Sequence, residues 1–414
     1  MARRSGFLKR QPRKISLTDF LLALVALSAE AVLSLERIAG VISLIAHVSY
    51  TKQALHKRLN AQVEKFLAQV ATALFGQLSQ DLHTQRWFRP FRRVLLHDST
   101  VQALPGRLAK LFPGSGNQRR KPSASLKIQF VTDLQRATLV QCSLSGFTRN
   151  DQAAAPDILT VAQAGDLILR DLGYFACAVL AILGLRGAYF LSRYKHGVGI
   201  CDLAGQPLDL EAELRTYGRV DREVLLGAEQ VRVRLVALPV PEAVANRRRH
   251  KARANRDGRK PPSRAHLFLM GWNLFVTNVS RGVWPAQALA SLYRLRWRIE
   301  MIFKAWKSHL GLRQFNARSA NLVRLSVMTK LLFCLLIYRF CNALELLGDG
   351  QRHVSLLRLA RIIGQCACLF AAALLGITPE EWLDYQLVHH MYYEKRKDRK
   401  NYYELLAELN ASLG

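Results

Sequence analysis

Residues 166–193 read DLILRDLGYFACAVLAILGLRGAYFLSR. A strand-length run, DLILRDLGYF, is followed by the apolar, helix-length ACAVLAILGL and then by a second strand text, GAYFLSRYK, from Gly187. Working outward, RRVLLHDST (92–100) reads as a short strand ending in Asp98. SLKIQFVTDL (125–134) and ATLVQCSLS (137–145) are two more strands, and 151–165 reads as helical. The order three strands, helix, strand, helix, strand predicts a mixed α/β sheet flanked by helices.

Upstream, residues 16–85 carry apolar residues at helical spacing. Within them a first helix with Leu35, Ile38 and Ala39 precedes a second from Thr51 to Leu59, with Lys52, His56, Lys57 and Arg58 on its polar face. This pattern fits a helix-turn-helix that enters a major groove; an ordinary helical bundle with a solvated basic face fits it too. Downstream, 200–280 holds strand-like pieces such as EVLLGAEQVRVRLVALPV and AHLFLMGWNLFVTNV, and reads as a β-rich insertion. Between those pieces NRRRHKARANRDGRKPPSR (246–264) reads as a solvated basic loop able to contact phosphate. After 283 the text is helical to the end.

The 414 residues include 60 Lys and Arg against 30 Asp and Glu, a net charge of +30. Solubility needs far less, so the excess points to a polyanionic partner. Seven scattered cysteines without a Cys-x-x-Cys pair imply neither a disulfide framework nor a zinc site, and place the chain in a reducing cytoplasm. The basic, then apolar N-terminus with Ala29-x-Ala31 outlines a signal peptide, but the Ser16-x-x-Asp19 capping signal opens a helix there instead. The run Leu331–Tyr338 is too short to span a bilayer, so no membrane partner is expected.

A single helix is expected from near Pro285 to just before Gly311. At about 100° per residue, Tyr293, Arg296, Glu300 and Lys307 share a stripe roughly 60° wide, with Leu292, Leu295, Ile299, Ile302, Trp306 and Leu310 on the apolar arc. Such a helix packs on a sheet while aiming one carboxylate and two cations from the neighbouring face.

The string Tyr293-x2-Arg296-x3-Glu300-x6-Lys307, in YRLRWRIEMIFKAWK, resembles the signature of the IS-four family of bacterial insertion-sequence transposases. LLHDST resembles the segment with that family's first catalytic Asp, and RDLGYF the segment with its second. The WNLFVTNV stretch and the basic N-terminal helices also resemble family text, so the resemblance covers most of the chain. It implies a ribonuclease-H-like core with a β insertion before the final Glu, and Asp98, Asp171 and Glu300 as catalytic metal ligands for two Mg²⁺ or Mn²⁺ ions. It further implies double-stranded DNA as partner, both terminal inverted repeats and target, with a homodimer in the complex. Domains follow: 1–88 helical and DNA-binding, 89–199 first part of the core, 200–280 insertion, 281–318 final core helix, and 319–414 for dimerisation or DNA contact.

Residue chemistry supports the same roles. Phosphodiester cleavage and transfer need charge neutralised on the attacking and leaving oxygens, which two divalent ions about 4 Å apart achieve. Carboxylates suit Mg²⁺, a hard ion that takes oxygen ligands. Arg296 and Lys307 suit phosphate, and Tyr293 can stack on or hydrogen-bond DNA. Each acid also has a structural reading: Asp98 before Ser-Thr as a cap, Asp171 in Asp-Leu-Gly as a turn residue, Glu300 with Lys304 as an exposed pair. Asp133, Asp151 and Asp166 are rivals for the second carboxylate. Trp272 reads as core packing before base stacking, and Thr277 and Asn278 as a strand end. A ribonuclease-H-fold nuclease without strand transfer, or a non-catalytic DNA-binding repressor, remain the alternative functions.

Overall fold

A strand in which every residue is buried must be covered on both faces, as happens in the middle of a parallel sheet. Residues 166–170 form such a strand in the computed structural model, all five of them buried. The structure describes residues 2–8, 16–28, 33–46, 50–60, 62–76, 86–115, 123–136, 138–254, 261–311, 320–347, 353–365 and 400–412. Ala29-x-Ala31, Cys366, Cys368 and part of the basic stretch after Ala254 lie outside them.

The chain begins with helices α1 (Leu17–Ala26), α2 (Leu35–Ala46), α3 (Lys52–Arg58) and α4 (Val63–Gly76). Strands β1 (Arg93–Leu104), β2 (Ala124–Asp133), β3 (Thr138–Gly146) and β4 (Asp166–Arg170) come next, then α5 (Cys177–Leu185) and β5 (Tyr189–Arg193). The following stretch holds β6 (Ile200–Cys201), α6 (Leu210–Tyr217), β7 (Val220–Leu226), β8 (Val231–Pro239), α7 (Glu242–Ala254), α8 (Arg264–Leu269) and β9 (Trp272–Thr277). Helices α9 (Ala286–Arg294), α10 (Trp297–His309), α11 (Ala320–Leu347), α12 (Leu356–Gln365) and α13 (Tyr402–Ala411) complete the described chain. The nine strands hydrogen-bond in the order β3-β2-β1-β4-β5-β9-β8-β7-β6, a mixed sheet.

The chain divides into two compact units, one of residues 83–98, 150–297 and 400–414, the other of 1–82, 99–149 and 298–399. In the first, β1, β4 and β5 run parallel, and β9 joins β5 antiparallel through Leu191↔Thr277 to Arg193↔Phe275. β8, β7 and β6 follow as an antiparallel meander. The β5–β9 junction is clasped by side chains: the Thr277 hydroxyl donates to the Phe190 carbonyl (2.6 Å), and Asn278 accepts from Phe190 N (2.9 Å) and donates to the Ala188 carbonyl (2.8 Å). These two residues do close a strand. Trp272 is packed as well, its ring 4.5 Å from Phe268 and its Nε1 donating to the Gly218 carbonyl.

In the other unit β2 and β3 form an antiparallel hairpin, and the rings of Phe303 and Trp306 on α10 meet Phe130 of β2. The expected cap opens α1: Ser16 and Asp19 bond each other's backbone N–H groups. α1 and α4 pack against α11, where Lys330, 2% exposed, donates to the Ser28 carbonyl and Arg324 pairs with Glu64 at 3.4 Å. Residues Asn321–Glu345 are long and apolar enough to cross a membrane, yet 78% of that window is buried, as in a core helix. Cys334 and Cys341 are buried there, and burial pushes the Cys341 thiol up to about 12.

Five expectations are corrected. β1 does not end at Asp98; it continues to Leu104, with Thr100, Gln102 and Leu104 buried in alternation. Two of those inward positions are polar, so the hydropathy pattern conceals the strand. Residues 151–165 form turns and one 3-10 helix, Ala155–Thr160, which starts around Pro156, a residue tolerated in a first turn but not in a helix interior. The insertion is not simply β-rich, since α6, α7 and α8 lie within it. Residues 247–254 of the basic stretch belong to helix α7, which Arg248 anchors through the Met270 and Trp272 carbonyls and Asn273. Finally, the stretch from Pro285 to Gly311 is two helices, because Leu295 and Arg296 turn back onto Leu292 and Tyr293 with short-range bonds. The first of the two helices has Pro285 as its N-cap.

The parallel core is pinned at one end by a buried ion pair. Arg93 Nε and Nη2 hold the Asp166 carboxylate at 2.9 and 2.5 Å, and Asp166 is 0% exposed. Arg93→Met should lower the unfolding free energy by about 3–5 kcal/mol, because it strands a buried carboxylate. Chemical denaturation measures this, and a loss below about 1 kcal/mol would show the pair to be dispensable.

Candidate active site

Parallel neighbours in a sheet lie about 4.8 Å apart with residues in step. The β1–β4 ladder pairs Arg93 with Asp166 and runs in step to His97 with Arg170. Its partners are 73 positions apart in the chain, the same separation as Asp98 and Asp171. The residue after each final partner is an aspartate, so the two carboxylates emerge side by side where the ladder ends. Asp98 remains within β1, whereas Asp171 follows β4 at the start of the 3-10 turn Leu172–Tyr174, its side chain making no capping bond. Their side chains are 16% and 50% exposed, so the pair faces an opening.

One aromatic ring braces both approaches. Tyr174 is buried, with the His97 ring at 4.3 Å and the Arg170 guanidinium at 5.9 Å. Those two residues immediately precede Asp98 and Asp171. Arg170 also donates to the Ala155 carbonyl, and burial lowers its guanidinium to about 10. Gly173 fits closely, because a Cβ there would stand 3.2 Å from the Asp151 side chain and press on it. In the sequence Gly173 and Tyr174 stand out only as part of RDLGYF; their packing against His97, Arg170 and Asp151 is a tertiary feature.

The break between α9 and α10 sets the rest. Tyr293 donates its hydroxyl to the Arg170 carbonyl at 3.2 Å, and its ring lies 5.5 Å from Phe275. It therefore holds the main chain that carries Asp171. Arg296, in the turn, places Nη1 3.1 Å from Asp98 Oδ2 and Nη2 3.7 Å from Asp171 Oδ1. Two carboxylates thus face one guanidinium that is itself 13% exposed. The guanidinium stands where a positive charge between the aspartates is required, and the hard oxygen donors fit a divalent cation in the same role.

The other candidates are distributed as follows. Glu300 lies in the first turn of α10 and Lys307 in its last, both half-buried, in the unit that also holds the β2–β3 hairpin. Tyr293 belongs to α9, Arg296 to the turn, and Glu300 and Lys307 to α10, so the four residues expected on one continuous helix are divided among three segments. Among the described residues no group of three His, Cys, Asp or Glu could hold one ion. Of the rivals, Asp166 is committed to Arg93, and Asp133 is buried, accepting from Gln135 N with Arg136 3.9 Å away. Asp151 lies against the Gly173 turn. On α3, Lys52 and Lys57 are exposed; Lys52 meets Glu36 at 3.5 Å and Arg58 lies over the Tyr50 ring.

Burial pushes the Tyr293 phenol up to about 12, against Arg296, which pulls it down. The folded state keeps this proton where the unfolded chain, with its ordinary value of 10.0, releases it. Tyr293 therefore adds stability that is complete below the unfolded value and lost as pH rises towards about 12. Denaturant melts at increasing alkaline pH should fall less steeply for Tyr293→Phe than for the unaltered protein. Equal slopes would mean that the phenol is not held protonated.

A family model described as the transposase DDE domain matches residues 89–337. The transposase for insertion sequence element IS231D of Bacillus thuringiensis subsp. finitimus is 28% identical over 341 residues, covering 76% of this chain and 70% of its own. That for element IS1151 of Clostridium perfringens is 26% identical over 339 residues, covering 76% and 71%. The putative transposase InsL for element IS186A of Escherichia coli (strain K12) is 32% identical over 102 residues, 25% of this chain and 27% of its own.

Proposed function

The chain belongs to the transposase DDE-domain family, and from that premise we propose that Asp98, Asp171 and Glu300 are the three carboxylates with which it cuts and rejoins DNA. It is a transposase of the insertion-sequence kind, an enzyme of DNA transposition. The observation that carries the site assignment is the Asp98–Arg296–Asp171 arrangement: two carboxylates, from strands in register, facing one cation. The strand order β3-β2-β1-β4-β5, with β2–β3 antiparallel and β1, β4 and β5 parallel, supports a ribonuclease-H-like core.

Members of this family generally use divalent metal ions. Here Asp98 and Asp171, with Glu300 as third ligand, would hold Mg²⁺ or Mn²⁺, two ions in the working site. When bound, such ions neutralise charge on the attacking and leaving oxygens and favour deprotonated water. The protein's own residues do the rest. Tyr174 and Tyr293 fix the strand ends from which the carboxylates project. Arg296 keeps the aspartates from repelling each other before ions arrive and can then turn to phosphate, as can Lys307. In the first step water oxygen bonds to phosphorus at a transposon end, and the 3′ oxygen leaves and takes a proton. In the second step that 3′-hydroxyl attacks a target phosphodiester and displaces its 3′ oxygen. No covalent enzyme intermediate is involved. Two ends must be cut and joined together, which calls for a homodimer on double-stranded DNA.

Asp98→Asn, Asp171→Asn and Glu300→Gln should each reduce Mg²⁺-dependent cleavage of the element's terminal inverted repeats by orders of magnitude, since the site contributes several kcal/mol to the transition state. Binding should survive, because Lys and Arg supply the phosphate contacts. Near-normal cleavage by any one variant removes that residue from the site. Supplying precut ends and scoring joined product separates a transposase from a nuclease that only hydrolyses.

Recognition of the ends is assigned to the exposed face of α3. Lys52→Gln, Lys57→Gln and Arg58→Gln together should erase the preference for terminal repeats over random duplex in a competition assay. Discrimination that persists would move recognition to another element. Substitution is the better test than deletion, because α1 and α4 form part of the core around α11.

A further inference from the structure

We propose that Arg193, Arg248 and Arg294 form a phosphate clamp that seats a DNA strand beside the Asp98–Asp171 pair. The proposal rests on the transposase reading of that pair and adds three residues to it.

The clamp is built on one face of the sheet. Arg193, the last residue of β5, stands directly opposite Phe275 of β9. Side chains of directly opposed residues project from the same face. Phe275 carries the Tyr293 ring at 5.5 Å, so α9 covers this face, and Arg294 follows Tyr293 in that helix. Asn273 lies two residues before Phe275 and so shares its face. Its Oδ1 accepts from Arg248 Nη2 at 2.7 Å, while Arg248 Nη1 donates to the Trp272 and Met270 carbonyls at 3.1 and 3.4 Å. Arg193 shares the face of Phe275, Arg248 is bonded to Asn273 on that face, and Arg294 is close enough to act on Arg248 as a like charge, so guanidinium groups from β5, α7 and α9 gather in one region.

Their electrostatics favour an anionic ligand. All three acceptors of Arg248 are neutral, so its hydrogen bonds orient the group without cancelling its charge. Partial burial, then the like charges of Arg193 and Arg294, hold the Arg248 guanidinium below its ordinary range. Arg193 and Arg294 are exposed and therefore open to a ligand. Like charges gathered on rigid elements cost free energy in the free protein and repay it when a polyanion binds. Arginine's planar fork suits phosphate in particular. Tyr293 joins the clamp to the chemistry, for its ring rests on Phe275 and its hydroxyl on the carbonyl before Asp171. A strand held by the clamp is thereby registered against the carboxylates.

The test uses the full-length protein and a mixed-sequence duplex of about 40 base pairs without divalent ions, with binding followed by fluorescence anisotropy across a salt series. Each neutralised phosphate contributes about 0.9 to the magnitude of the log–log salt slope. Arg193→Gln with Arg294→Gln should reduce that magnitude by about 1.8, and Arg193→Lys with Arg294→Lys should keep it. Should the double Gln variant melt early, the two single Gln variants serve, each with a reduction of about 0.9. A slope in the Gln variants equal to that of the unaltered protein overturns the clamp while leaving the transposase reading intact. A flat slope in the unaltered protein overturns both.

Discussion

Two carboxylates at the same level of adjacent parallel strands repel each other unless a cation stands between them. In this protein the β1–β4 register makes the encounter of Asp98 and Asp171 unavoidable, and the Arg296 guanidinium answers it. Much of the surrounding structure serves that juxtaposition. Arg93 and Asp166 lock the ladder at its far end, so the strands cannot slip by a residue and turn one aspartate to the other face. Tyr174 packs on the residue before each aspartate, and Tyr293 bonds the carbonyl before the second.

The break between α9 and α10 belongs to the same logic. Arg296 stands in the turn at Leu295 and Arg296 and reaches both carboxylates, while Tyr293, three residues earlier, rests on Phe275 of β9 and bonds the last carbonyl of β4. The positive charge of the chain is likewise organised rather than diffuse. Arg93 and Arg234 are committed to Asp166 and Asp221; burial pushes the Asp221 carboxyl up, but the hydrogen bonds and charges of Arg234 and Arg281 together hold it below its usual range. Arg193 and Arg294, in contrast, stand exposed.

Where structure and sequence reading diverged, the cause was tertiary. The second half of β1 was hidden because Thr100 and Gln102 face inward, so no apolar alternation announced it. The second half of α7 is dense in basic residues and reads as loop text, and its anchoring to β9 through Arg248 is a long-range contact that composition cannot reveal. The break in the 285–311 helix was missed because no Pro or Gly marks it; Tyr293 and Arg296 are drawn to partners more than 120 residues away in the chain.

Local pattern alone determined the α/β character, the strand–helix–strand text around Asp171, the helical ends of the chain and the short motif that contains Tyr293, Arg296, Glu300 and Lys307. It did so because hydrophobic period and residue spacing are properties of neighbours along the chain. Only the tertiary structure decided that Asp98 and Asp171 stand side by side, that Asp166 is a structural partner of Arg93 rather than a site residue, and that Tyr293 supports the main chain at Asp171. Those outcomes depend on strand register and on charges brought together across 73 and more residues, and a carboxylate's role follows from which cation the fold places beside it.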